Sequence, residues 1–346
     1  MNIEAHMIQS SLNPAAARAL SHPTISVLMF EEVSPRWLLA FLPWVPVEAG
    51  VYRVNRLKKC GPEPRDYPAT SLGEPTSSPY LNNSCNEYGE KSIDLFSCHE
   101  GEPDLPQTFP DYEDKPREYP LSLIQTMLKI NTRVSDIYNA PINQLQEQMR
   151  LTVEAMLERQ ESELINNREF GLVNSVAPEM RISTRNGAPT PDDLDSLLAR
   201  VWKKPAFFLA HPQAIAAFGR ECTRRGVPPA TANLYGSPFI TWRGVPLVPS
   251  DKIRVNGRSK ADLCCSGTTQ ILLLRVGEAE QGVIGLHQPG IPDEKSHPSL
   301  SVKFAGIDNK GISHYLLNLY FSAVVLTADA LAILDNVEVG SYHEYV

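Results

Sequence analysis

His314 to Leu334 reads HYLLNLYFSAVVLTADALAIL, a nearly uncharged run close to the end of a 346-residue chain. About 20 apolar residues are enough to cross a bilayer, so this stretch decides between a membrane protein and one that buries it internally. Its chemistry favours burial. From Tyr315 to Leu326 it is dense in aromatic and branched residues, among them Tyr320, Phe321, Val324 and Val325. These suit a strand buried on both faces. The pattern then changes: Thr327 is placed to cap a helix, Asp329 falls in its first turn, and Ala330 to Leu334 are good helix formers. The expectation is a central strand feeding a short helix. Asp329 would cost about 2.5–3.5 kcal/mol in hydrocarbon, and no Lys/Arg cluster flanks the run as in a stop-transfer segment.

Working outward, 42% hydrophobic and 21% charged residues are ordinary for a soluble globular chain, and 29 prolines imply many turns and extended connections. A net charge of −8 argues against a nucleic-acid-binding surface. The first twenty residues, MNIEAHMIQSSLNPAAARAL, have neither a basic n-region nor an apolar h-region, so a cytoplasmic location is expected. Six cysteines stand at Cys60, Cys85, Cys98, Cys222, Cys264 and Cys265, without a CxxC pair or metal-type spacing. Free thiols are the plain reading. Cys60, Cys85 and Cys98, clustered in one irregular segment, are candidate reactive thiols.

Before the deciding stretch, helices are expected at Asn13–Leu20 and Ser34–Leu42, the second with Ser34 as N-cap and Pro35 at its first position. VPVEAGVYRVNRLKK reads as a strand, Lys59 to Lys115 as a long irregular insertion, and REYPLSLIQTMLKINTRVSDIYN as a second extended segment able to pair with the first. A spine helix of roughly 36 Å follows from Asn143 to Asn166, its apolar stripe running through Leu145, Met149, Val153, Met156, Leu157, Leu164 and Ile165, with Glu147, Arg150, Glu154, Glu158 and Glu161 largely on the polar face. TPDDLDSLLARVW opens a helix capped by Thr190. FFLA is a buried strand, and HPQAIAAFGRECTRRG is a helix ended by Gly226. VPPATANLYGSP reads as a proline-rich loop, and FITWRGVPLVPSD as a hairpin turning at Arg243–Gly244. Strands are expected at Thr269–Val276, Gln281–Leu286 and Leu300–Ala305. The class is α+β, without a run of βαβ units.

Catalytic motifs are absent. There is no GxGxxG, no GxxxxGK[ST] and no GxSxG, and the terminal His343-Glu344 has no second histidine. His211 and Cys222 share one expected helix three turns apart and cannot touch. Asp192 and Asp193 are explained by capping. Trp202, Trp242, Phe207 and Phe208 read as core ahead of pocket lining, and Arg224 and Arg225 equally as helix C-terminal charges or as the rim of an anion-attracting opening.

The segments PRWLLAFLPWVPVEAGVYRVNR, PREYPLSLI, NTRVSDIYN, ERQESELINNREFGL, GAPTPDDLD, AAFGREC with RRGVPP, FITWRGVPLVPSDK and the terminal HEY resemble the type 2A encapsulin shell proteins. The likeness spans all but the first two dozen residues and about Lys58 to Asp104. It implies the tailed-phage major-capsid (Hong Kong 97-type) fold: an N-terminal arm over 1–46, an extended loop over 47–120 holding the insertion 59–115, a peripheral domain over 121–176 and 300–346, and an axial domain over 177–299. It further implies a non-enzymatic protein that assembles into an icosahedral T=1 shell, sixty subunits by symmetry. The usual cargo of such shells is a cysteine desulfurase, whose pyridoxal phosphate would be the only cofactor, linked to sulfur metabolism or storage. Gly226, Val227, Pro228, Pro229, Ala230, Thr231, Ala232, Asn233, Leu234, Tyr235 and Gly236 become the candidate five-fold pore loop. A phage major capsid protein and a membrane-associated protein are the alternatives.

Overall fold

A computed structural model describes residues 33–56, 112–113, 115–131, 144–257, 267–294 and 297–340. The expected helix at Asn13–Leu20 and the thiols Cys60, Cys85, Cys98, Cys264 and Cys265 lie outside the described residues.

One unit joins residues up to Gly50 with Pro120 onward. A five-stranded sheet in it contains β1 (Trp44–Pro46), β4 (Ser122–Asn131), β11 (Val283–His287), β12 (Leu300–Ile307) and β13 (Ile312–Val325). A seven-stranded sheet runs in the order β5 (Arg181–Ser183), β14 (Leu331–Glu338), β10 (Thr268–Leu274), β6 (Phe207–Ala210), β9 (Val245–Pro249), β8 (Ser237–Trp242), β7 (Ala230–Leu234). Helices α1 (Trp37–Phe41), α2 (Gln144–Asn166), α3 (Pro191–Arg200) and α4 (Pro212–Arg224) complete the α+β architecture. Strands β6 and β10 are buried almost throughout, as the FFLA and ILLL runs require of central strands.

The other unit covers Val51 to Tyr119. Its described part is a two-stranded ribbon of β2 (Val51–Val54) and β3 (Arg117–Pro120), the pairing expected of the two extended segments. Arg53 bridges to Glu118 at 3.0 Å and Arg117 to Glu113 at 2.8 Å.

The deciding stretch is half as expected. β13 is one 14-residue strand that pairs antiparallel with β4, β12 and β11. The short helix is not there. After a single 3₁₀ turn at Ala328–Ala330 the chain enters β14, so Leu331 to Leu334 form a strand between β10 and β5. Good helix formers yield because all four are fully buried and pair with β10, Ile333 and Leu334 pairing with β5 on the other side as well. Thr327 does not cap; its hydroxyl donates to the Gln281 carbonyl at 2.9 Å and accepts from Arg275. The stretch therefore carries the chain from one sheet to the other. No described helix is long and apolar enough to cross a membrane.

Other corrections share a cause in backbone turns. α1 starts at Trp37 instead of Ser34, because Arg36 is left-handed at φ 52°. The strand expected from Val45 is broken by a 3₁₀ turn at Glu48–Gly50, where Ala49 sits at φ 60°. Gln281 is at φ 51°, so that strand begins at Val283. Residues 230–234, expected as loop, are β7.

Candidate functional site

The segment singled out as a pore loop follows α4. That helix ends in a Schellman motif: Gly226 is left-handed at φ 70°, its N–H donates to the Thr223 carbonyl, and the Val227 N–H donates to the Cys222 carbonyl, both at 3.0 Å. Val227 to Pro229 lead into β7, which pairs with β8 across the two-residue turn Tyr235–Gly236. Both turn residues have positive φ, 49° and 76°, the geometry whose twist matches that of the paired strands. The candidate loop is thus the near arm and tip of a β-hairpin. Thr231, Asn233 and Tyr235 are exposed while Ala232 and Leu234 are half-buried, the alternation of a strand covered on one face. Gly226 to Gly236 carry no charged side chain. The nearest cations are partnered: Arg225 with Asp192 at 3.0 Å and Arg224 with Glu221 at 3.1 Å.

The root of the hairpin is fixed by Trp242, packed edge-on to Phe218 and donating its indole N–H to Asp195 at 2.7 Å. Burial opposes the charge on Asp195, but hydrogen bonds from Arg243 and Trp242 outweigh it and hold the carboxyl below its usual range. Beneath the tip, Tyr235, 69% exposed, still meets the Phe41 ring at 5.1 Å; Trp37, Phe239 and Phe207 complete an aromatic cluster that docks α1.

The other side of α1 faces the spine helix α2. Here Arg36 bridges to Glu154 at 2.5 Å and Lys252 to Glu158 at 2.6 Å, while Glu161, expected on the polar face, is buried. Alongside lies a cleft of ≈ 330 Å³ walled by Pro35, Trp44, Leu157, Gln160, His287 and His297. Burial lowers the pKa of His287. Trp44 fits only because Gly285 opposes it: a Cβ there would lie 2.7 Å from the indole ring.

The residues weighed for catalysis do not converge. His211 caps its own helix, its Nδ1 accepting from the Gln213 N–H at 3.2 Å. Cys222 is buried, which pushes its thiol up to about 11. Asp193 and Thr190 form a reciprocal capping box. Among the described residues no group of three or more His, Cys, Asp and Glu is placed to hold a metal ion.

A family described as type 2A encapsulin shell protein, SrpI-like, matches residues 79–341. The type 2A encapsulin shell protein SrpI of Synechococcus elongatus is 53% identical over 337 residues, 97% of each chain. The chain belongs to the type 2A encapsulin shell proteins. The holo-SrpI encapsulin complex from Synechococcus elongatus, solved by electron cryomicroscopy, contains a chain that superposes with a TM-score of 0.74 at 50% identity, covering 97% of this chain and 99% of that one. The capsid of a native GTA particle matches with a TM-score of 0.53 at 13% identity over 94% of this chain and 99% of that one, which places the encapsulin in the Hong Kong 97-type capsid fold. A shell protein of this family has a structural role.

Proposed function

We propose that the protein assembles with itself into a closed icosahedral T=1 compartment in the cytoplasm. The observation that carries this is agreement along essentially the whole length with SrpI, at 53% identity and in the same fold. Extended ribbons and apolar arms that cross to neighbouring subunits bury obligate interfaces of more than about 2,000 Å². Contacts of this heterologous kind close into a shell when their rotations close. The arm is assigned to residues 1–46, the extended loop to 47–120, the peripheral domain to 121–176 and 300–346, and the axial domain to 177–299.

The compartment encloses a cysteine desulfurase, whose pyridoxal phosphate belongs to the cargo, in service of sulfur metabolism or storage. The hairpin from Gly226 to Gly236 lines a five-fold opening, and its lack of charge makes that opening neutral. Cys60, Cys85 and Cys98 are reactive thiols. Nucleic acid and membrane are not partners; a net charge of −8 speaks against the former.

Light scattering of the purified protein tests the assembly. Sixty copies of a 38.4 kDa chain make a particle of about 2.3 MDa, and a monomer or dimer would refute the shell. Affinity purification from the native host tests the cargo, which is expected to co-purify with Schiff-base absorbance and desulfurase activity. Thiol labelling of intact particles is expected to modify the three insertion cysteines, and protection of all three would remove that assignment.

A further inference from the structure

The segment entering α1 is tied to the spine helix by carboxylates, and one of them is buried. Glu161 is 1% exposed. Its Oε1 accepts from the Ser250 hydroxyl at 2.9 Å, and its Oε2 lies 3.5 Å from Ser34 Oγ. One turn earlier, Glu158 accepts the Ser34 backbone N–H at 2.9 Å and pairs with Arg36 at 3.4 Å and Lys252 at 2.6 Å. Glu154 takes Arg36, and Asp251 shares Lys252 at 2.8 Å. The charges around Glu161 thus come from three elements: Arg36 before α1, Glu154 and Glu158 on α2, and Asp251 and Lys252 after β9.

Among the described residues four carboxylates there meet two cations, and both cations are paired with carboxylates other than Glu161. An ionised Glu161 is surplus negative charge in a buried place. A neutral Glu161 completes a hydrogen-bonded chain instead. Ser250 Oγ–H donates to Oε1, the acid O–H on Oε2 donates to Ser34 Oγ, and Ser34 Oγ–H donates to Glu158 Oε1 at 3.3 Å.

We propose that Glu161 is a proton-operated latch: as a carboxylic acid it holds the segment entering α1 on the spine helix, and as a carboxylate it loosens that hold. Burial raises its pKa to about 7, the Ser250 hydrogen bond opposing and the charges of Asp251 and Glu158 adding. A carboxyl raised above its unfolded value stabilises the closed state fully below about 4.5, and loses that contribution as pH rises to about 7. The latch therefore opens toward alkaline pH. A weaker grip of the arm in an assembled particle rests on the shell reading; the latch itself does not.

Hydrogen exchange on the full-length protein between pH 5.5 and 8.5, corrected for intrinsic rates, reads the latch at the amides of Ser34, Leu39 and Leu42. Their opening constant is expected to rise by up to about tenfold per pH unit until pH 7 and then to level. Glu161→Gln keeps both hydrogen-bonding roles without a proton to lose and is expected to give a flat profile. Asp251→Asn, at an exposed carboxylate, is expected to move the midpoint to lower pH. In the infrared, a protonated-carboxyl band should titrate away near neutrality in the wild type and be missing from Glu161→Gln. Equal pH dependence in the wild type and Glu161→Gln, or no such band in the wild type, overturns the proposal. Should Glu161→Gln not fold, the wild-type band and the Asp251→Asn shift decide. Absence of a particle with the exchange profile intact would sink the shell reading alone, and a flat wild-type profile in intact particles the latch alone.

Discussion

Arg275 and Asp329 tie together the two connections by which the chain passes between the sheets of the main unit. Arg275 ends the chain's exit from β10 toward β11, and Asp329 lies on the crossing from β13 to β14. They meet in a two-pronged ion pair at 2.8 and 3.1 Å, with the side chains 3% and 8% exposed. Lys203 adds a second cation at 3.1 Å. Burial works against the Asp329 charge, but hydrogen bonds from Arg275 and Lys203 overcome it and hold the carboxyl well below its usual range. Asp329→Ala strands the guanidinium and is expected to cost about 3–5 kcal/mol, read as a large drop in thermal stability. Replacing both partners with apolar residues, Arg275→Met with Asp329→Leu, should cost much less. A lowered pKa stabilises at every pH above the ordinary carboxylate range and is lost only on stronger acidification. The stability gap between wild type and Asp329→Asn is therefore expected to hold from neutral pH down to about 4 and to narrow below it. Cys222, with its thiol raised to about 11, is expected to resist thiol reagents at pH 8 until the protein is denatured.

Among the elements, those whose instructions are local were legible. Thr190-Pro191-Asp192-Asp193 announces a capped helix, and both capping bonds form; Thr190→Ala is expected to lose about 1 kcal/mol in a thermal melt. Arg243-Gly244 announces a turn, and both residues take positive φ, 50° and 85°. Substituting Gly244 with Val should cost about 1–2 kcal/mol through strain alone, since its Cβ would meet open space. The failures at Leu331–Leu334 and at residues 230–234 were set by neighbours distant in the sequence. Leu331 to Leu334 have helix-forming composition but pair with Ile271 to Leu274 of β10, and Ile333 and Leu334 also with Arg181 and Ile182 of β5. Ile333→Pro, which removes a donor from a central strand, is expected to abolish soluble folded protein in an expression test. Residues 230–234 hid behind two prolines, and their strand exists because β8 pairs with all five of them.

For the whole molecule, the capsid-type architecture explains why such an apolar C-terminal stretch needs no membrane. Its first part is the central strand of one sheet and its last part an inner strand of the other. That Gly226 ends α4 and that residues 226–236 are free of charge were readable, but their form as a hairpin whose tip packs on Trp37 and Phe41 was not. Tyr235→Ala is expected to lower thermal stability by about 0.5–1.5 kcal/mol in aromatic contacts while leaving particle mass unchanged. The acid cluster on α2 was unreadable for a similar reason: Glu161 meets Ser34 and Ser250, 127 residues before it and 89 after it. By itself the sequence determined the α+β class, the helix ends at Thr190 and Gly226, the turn at Arg243–Gly244, the paired extended segments and the kinship with shell proteins, all of which are written in neighbouring residues or in long runs of resemblance. Only the tertiary structure decided that helix-forming residues become a strand and that a glutamate on a polar face is buried, because burial and strand pairing are properties of what the chain meets in space.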